Sequence, residues 1–207
     1  NLNGNDVVNY ENNSFHGSAV TMAMNILPHS SDFIDIACDP LLLQVAERYF
    51  ADGAHQNDAD LFQLHIMHGR AVAIGAPDQG LHIDSRLCGV NPPIVLHAFL
   101  YLDDCLEEGA GATRVVPGSH KIRRYPTDAD NDGSQPVLIK KGSILLLNSN
   151  LWHGSSRKQF GDRRWVITLA YSRWWVRQEY AIPYFQGWPR KLTEQERNIF
   201  GFNNYAE

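Results

Sequence analysis

Val137–Tyr171 reads VLIKKGSILLLNSNLWHGSSRKQFGDRRWVITLAY, and its apolar runs are strand-sized, not helix-sized. Val137–Ile139, Ile144–Leu147 and Trp165–Tyr171 are read as strands, with Lys141-Gly142 as a turn between the first two. Upstream, Leu61–His68, Leu81–Asp84 and Ile94–Leu102 read the same way, the last ended by Asp103-Asp104. One segment breaks the rhythm. From Asp39 the run PLLLQVAERYF carries an Asp cap, an early Pro and apolar residues at helical spacing, which predicts a helix over Pro40–Phe50. Residues 1 to about 30 are polar and Asn-rich and read as surface structure. Residues 121–136, with Pro126, three Asp and Gly133, form a polar loop long enough to be a candidate lid.

Many short strands, one early helix and no alternation of strand and helix exclude a doubly wound parallel sheet. The expected class is mainly β with flanking helices: a β-sandwich or jelly roll over residues 1–207 as a single domain. Sixteen Gly, ten Pro and five Trp suit such a turn-rich fold.

A formal charge of −5, with the acidic residues scattered, gives no footprint for nucleic acid or an anionic membrane surface. No apolar run approaches a membrane span. Cys38, Cys88 and Cys105 are odd in number and lack a C-x-x-C pair, so they read as reduced thiols in a cytoplasmic setting. The chain opens at Asn1 in mid-pattern, as a fragment would.

Two His and one carboxylate carry the candidate chemistry. His82 and Asp84 sit two apart, and on a strand such positions share a face. His153 follows the apolar strand Ile144–Leu147. Three N/O donors without a thiolate form the facial set that leaves positions open on Fe(II), whereas a structural zinc is closed by four protein ligands. Arg164, at the head of Trp165–Ala170, would point into an apolar barrel, where a guanidinium needs a dicarboxylate to match its fork. Arg163 would face the opposite side.

Beyond these residues the sequence resembles the phytanoyl-CoA dioxygenase family of 2-oxoglutarate oxygenases. The resemblance rests on Leu81-His82-Ile83-Asp84, on Tyr101-Leu102-Asp103-Asp104 followed by GAGATRVVPGSHK over 109–121, and on Lys141-Gly142-Ser143 through Trp152-His153-Gly154 with Arg164 at the family's spacing. It implies a double-stranded β-helix, a cupin-like jelly-roll barrel, with part of the family's N-terminal helical region missing. It implies Fe(II) on His82, Asp84 and His153, 2-oxoglutarate paired to Arg164, and O2 as oxidant, with release of succinate and CO2. His120 is then part of a turn and not a ligand. The retained Asp84 favours hydroxylation of a C–H over halogenation, which uses a small residue there.

Ser155, Thr168, Gln63 and His65 are candidate co-substrate contacts, although a lone His on a strand, as His65 is, more often serves as a structural residue. Trp152 is expected to pack beside the metal. The aromatic tail, Trp174-Trp175, Tyr180, Tyr184-Phe185 and Trp188, either seals the barrel or lines its mouth. Arg123-Arg124 and Lys140-Lys141 read as readily as surface charge as they do as a CoA site. Two rivals stay open: a non-catalytic cupin-like binder of a small molecule or metal, and a zinc hydrolase. The partner is a small molecule whose identity, like the oligomeric state, the sequence leaves unnamed.

Overall fold

The computed structural model describes residues 7–10, 19–55 and 60–203. Among the described residues ten strands form two antiparallel sheets: β1 (Val7–Tyr10), β2 (Val20–Ala23), β3 (Phe62–Val72), β4 (Gln79–His82), β5 (Val95–Tyr101), β6 (Thr113–Val115), β7 (Gln135–Val137), β8 (Ile144–Asn148), β9 (His153–Ser155) and β10 (Arg164–Arg173). The larger sheet runs β1-β2-β3-β10-β5-β8 and the smaller β4-β9-β6-β7. This is the jelly roll expected from the strand rhythm. Three strand segments end elsewhere than the apolar runs suggest: β3 continues past His68 to Val72, β4 stops at His82, and the predicted Val137–Ile139 strand pairs earlier, over Gln135–Val137.

The region read as surface structure holds a correction. β2 pairs with β3, and Val20, Thr21, Met22 and Ala23 are all buried. A four-residue strand covered on both faces has too few residues to show a period, so its polar surroundings masked it.

Two helices, α1 (Ser31–Ala37) and α2 (Pro40–Ala51), pack against the outer face of the larger sheet. The Asp39 carboxylate accepts from the amides of Leu41 and Leu42, and Pro40 occupies the first turn, where its missing N–H is harmless. Leu42, Ala46 and Phe50 form the buried stripe of α2, meeting Phe62, Leu64 and Met67 of β3 and Ile167, Leu169 and Tyr171 of β10. A third helix, α3 (Glu194–Ile199), was not legible as a periodic run because it is short. Its start is fixed by a capping box between Thr193 and Glu196.

The aromatic tail divides its work. Trp188 stacks on Phe200 at 5.4 Å and both join the outer core, whereas Tyr180 also lines the inner cavity. Trp175 and Tyr184 are exposed.

Alternation along β10 separates the two layers. Trp165, Ile167, Leu169 and Tyr171 face the helices, so Arg164, Val166, Thr168 and Ala170 face the inside of the roll. Cross-strand rows on that inner face are Arg70–Val166–Tyr101, His68–Thr168–Phe99 and Ile66–Ala170–His97. The β3–β10 register shifts between Ala170 and Tyr171, leaving His65 as the extra residue of a bulge.

Candidate active site

The rows on the larger sheet face β4, β9 and β6 across a cavity of about 860 Å3. At its floor His82, Asp84 and His153 place one ligand atom each within 4.8 Å of one another. His82 and His153 are directly paired across β4 and β9. Asp84 lies just beyond the end of β4, in a turn held by Asp84 and Ser85 amides donating to the Ser149 carbonyl. His82 and Asp84 thus come together, but the shared strand face expected for both holds only for His82, since Asp84 lies past the end of β4.

Gly154 makes this close approach of β4 and β9 possible. A Cβ there would lie 2.4 Å from the Gln79 carbonyl oxygen and 3.1 Å from that of Gly80.

The tautomers of both histidines follow from their backbone partners. His82 Nδ1 lies 3.0 Å from the Gly80 carbonyl and His153 Nδ1 lies 3.0 Å from the Leu151 carbonyl. A carbonyl only accepts, so both Nδ1 atoms carry a proton and both Nε2 atoms point into the group. Asp84 completes the set, 3.6 Å from His82 Nε2 and 3.3 Å from His153 Nε2. Burial first, then the neighbouring His153, pushes the His82 imidazole down to about 4. It is therefore neutral and able to ligate at pH 7. Burial acts to raise the Asp84 carboxyl. The hydrogen bond from His153 and the charges of His97, His153 and His82 outweigh it and hold the group well below the usual carboxylate range. Burial acts to lower the His153 imidazole, but the hydrogen bond to Asp84, the Asp84 charge and the Leu151 carbonyl outweigh it and raise the group, so His153 must give up its Nε2 proton to a metal on ligation. With that proton released, two imidazoles and an ionised carboxylate suit a divalent metal, and three ligands leave coordination positions vacant.

Farther along the inner face Arg164 is 3% exposed, and its Nε is buried without a hydrogen-bond partner. Its guanidinium lies 5.3 Å from the Tyr101 ring centre. Arg163 points the other way, donating to Thr21 Oγ1 at 2.6 Å, as alternation requires. Arg70, which the sequence reading missed, joins Arg164 at the cavity wall. Burial, then the positive charge of Arg164, pulls the Arg70 guanidinium down to about 10, so it remains a cation at neutral pH. Among the described residues neither arginine has a carboxylate within ion-pair distance. Two sheltered cations without an anion make a site with one charge type missing.

Of the expected co-substrate contacts, Ser155, Thr168 and His65 line the cavity. Ser155 sits between Thr113 on β6 and Gln79 on β4, and both neighbours also line it. Gln63 does not. It pairs with Ser172 beyond the bulge at His65, and its amide is taken up by the Trp174 and Val176 carbonyls, to which it donates. Trp152 is buried beside His153 in sequence, but it packs under the Arg124 guanidinium, 4.5 Å away, and does not line the cavity. His120 lies in the 3-10 turn Ser119–Lys121, outside the metal group. The candidate lid holds a 3-10 segment, Asp128–Gly133, and brings Tyr125 to the cavity, its hydroxyl donating to the Arg86 carbonyl.

A further residue escaped sequence reading: His97 on β5 reaches the metal group, its Nε2 3.3 Å from Asp84 Oδ2. A lone His in VLHAFLY gives no motif signal. Only the register Ala170–His97 sets it opposite the cavity.

No described helix is long and apolar enough to cross a membrane. Cys38 and Cys88 are half-buried and Cys105 is buried, all as free thiols.

A profile of the phytanoyl-CoA dioxygenase (PhyH) family matches residues 7–165. Dioxygenase FUM3 of Gibberella moniliformis is 26% identical over 200 residues, which cover 92% of this chain and 66% of that protein. Multifunctional dioxygenase prhA of Penicillium brasilianum is 27% identical over 194 residues, covering 86% and 60%. The chain thus spans less than two thirds of the length of these curated relatives. Among solved structures, HygX from Streptomyces hygroscopicus with nickel and 2-oxoglutarate bound superposes with a TM-score of 0.67 at 19% identity, covering 84% of this chain and 75% of its own. The epimerase SnoN from nogalamycin biosynthesis gives 0.60 at 15% identity, covering 80% and 66%. Those two likenesses establish the shared fold. With the family profile spanning most of the chain and its motifs meeting in one cavity, the protein belongs to the phytanoyl-CoA dioxygenase (PhyH) family.

Proposed function

We propose that this chain is an Fe(II)- and 2-oxoglutarate-dependent dioxygenase that hydroxylates an unactivated C–H of a small molecule, releasing succinate and CO2. One observation carries the reading: a three-ligand metal group and two anion-seeking guanidiniums share a single cavity. His82, Asp84 and His153 would hold the iron. Arg164, assisted by Arg70, would pair with the distal carboxylate of 2-oxoglutarate, with Ser155 and Thr168 as candidate hydrogen-bond donors to it. Bound iron, 2-oxoglutarate and O2 together supply an oxidant strong enough for an unactivated C–H.

The chain's own work is placement and exclusion. The Nδ1–carbonyl bonds keep both imidazoles turned with Nε2 inward, so no rotation is needed on loading. Met22, Met24, Ile66, Ile94, Val95 and Val176 give the cavity an apolar wall that can hold a hydrocarbon portion of the substrate and keep out water. The retention of Asp84 favours transfer of a hydroxyl over transfer of a halide. A zinc hydrolase or a cupin-like binder would have no need of two uncompensated arginines facing the metal group.

The test is conversion of 2-oxoglutarate to succinate by the purified chain with Fe(II) and O2, followed by a screen of small metabolites that accelerate it. Succinate above the metal-only background that disappears in Asp84→Ala supports the reading. Metal binding without any succinate, across the screen, would favour the binder instead.

A further inference from the structure

His97 has the burial of a core residue and the chemistry of a site residue. It is 8% exposed, it shares a row with Ile66 and Ala170, and neither ring nitrogen has a hydrogen-bond partner meeting distance and angle. A buried imidazole left in that state is costly unless a partner completes it. Among the described residues one group stands within ion-pair distance of Nε2, the Asp84 carboxylate, with Oδ2 at 3.3 Å. His97 is not itself part of the group of donors that lie within 4.8 Å of one another.

The two other imidazoles near Asp84 are committed elsewhere. With Nδ1 donating to Gly80 and Leu151, the Nε2 atoms of His82 and His153 are lone pairs once a metal binds, and neither can then donate to Asp84. His97 has no such commitment, so its proton is free to sit on Nε2. A carboxylate ligand that lacks an outer donor can swing to bind through both oxygens, taking a position that small ligands need.

We propose that His97 is a positioning residue for Asp84: its Nε2–H donates to Oδ2 and restrains the carboxylate, so that the metal group keeps its vacant positions. The contact is now at the long end of hydrogen-bond range, as such contacts commonly are before the site is filled. This inference rests on the reading that His82, Asp84 and His153 hold the metal.

The test reads metal binding alone, without 2-oxoglutarate or turnover. Co(II) is titrated anaerobically into the wild type, His97→Leu, His97→Asn and His97→Gln, following its visible absorption, with apo melting temperatures recorded for each. A Gln amide nitrogen reaches the place of Nε2, whereas that of Asn reaches only Nδ1. His97→Leu and His97→Asn should bind Co(II) about 10- to 100-fold more weakly, and His97→Gln should return close to wild type in affinity and spectrum. Equal affinity and spectrum in all four proteins would overturn the proposal. So would a His97→Gln as impaired as His97→Asn, because the imidazole would then act by packing. An Asp84→Ala control separates the premise: if it binds Co(II) like wild type, the metal site itself is misassigned. Normal His97 behaviour in a protein that never forms succinate would instead sink only the oxygenase reading.

Discussion

Replacing Arg164 by Met should make the ligand-free protein more stable and the co-substrate bind far worse. Arg164 is 3% exposed, lacks an anionic partner among the described residues and shares the cavity wall with Arg70. Methionine keeps most of the volume while removing a sheltered, uncompensated charge. Against that gain stands the lost contact with the Tyr101 ring, about 0.5–1 kcal/mol or somewhat more for a desolvated pair. A net gain of about 1 kcal/mol raises the melting temperature by about 2–4 °C for a chain of this size. Binding moves the other way. A charge-assisted bidentate pair in a sheltered site is worth about 2–4 kcal/mol. At about 1.4 kcal/mol per tenfold, that is a loss of roughly 30- to 800-fold in 2-oxoglutarate affinity. Arg70 remains in Arg164→Met and retains part of the attraction, so the loss should fall in the lower half of that range and deepen in Arg70→Gln/Arg164→Met. The assay is calorimetric titration of 2-oxoglutarate into Co(II)-loaded protein beside thermal melts of the apo forms. An unchanged affinity together with a lower melting temperature would refute the reasoning, because Arg164 would then be a structural cation with a partner of its own.

Three other outcomes follow from the geometry. Asp84→Ala should lose tight metal binding and all succinate formation, checked by metal analysis after desalting and by product assay; retained metal would remove Asp84 from the ligand set. Gly154→Ala should break the β4–β9 pairing, since its Cβ would lie 2.4 Å from a backbone oxygen, and the melt should drop by several degrees or the protein should fail to fold; a wild-type melt would show that the strands can part there at little cost. The Glu196 carboxylate, bonded to Arg190 and to the Thr193 amide, is pulled down from 4.5 to about 2. A depressed folded value means that its contribution is complete above about pH 4.5 and is lost as pH falls toward 2. Arg190→Ala should therefore flatten the acid side of the stability profile, measured by denaturant melts from pH 6 downward; an unchanged slope would mean that the pair contributes nothing.

What the sequence disclosed was whatever is written in local order. Asp39-Pro40 before an apolar 3.6-residue pattern is a helix start by backbone chemistry alone, and β10 was legible because alternation assigned Arg163 and Arg164 to opposite faces before any partner was known. The His82, Asp84 and His153 cluster was legible for a second reason: its spacing matches a family pattern. Arg70 and His97 were not, because each depends on strand register. Arg70 faces the cavity through its pairing with Val166, and His97 through its pairing with Ala170. Gln63 failed for a different cause: it pairs with Ser172, but its amide is taken up by the Trp174 and Val176 carbonyls, a long-range contact that local order does not carry. β2 was lost because four buried residues between polar neighbours carry no period.

The central claim is that one metal and one dicarboxylate meet in this cavity, held by separate residues. Anaerobic addition of 2-oxoglutarate to the Fe(II)-loaded protein tests it most directly, through the visible charge-transfer band that a keto acid chelated to ferrous iron produces. The band should appear at one equivalent in the wild type, need far more 2-oxoglutarate in Arg164→Met, and be absent in Asp84→Ala. A wild type that binds Fe(II) and 2-oxoglutarate without the band, or an Asp84→Ala that still shows it, would contradict the account.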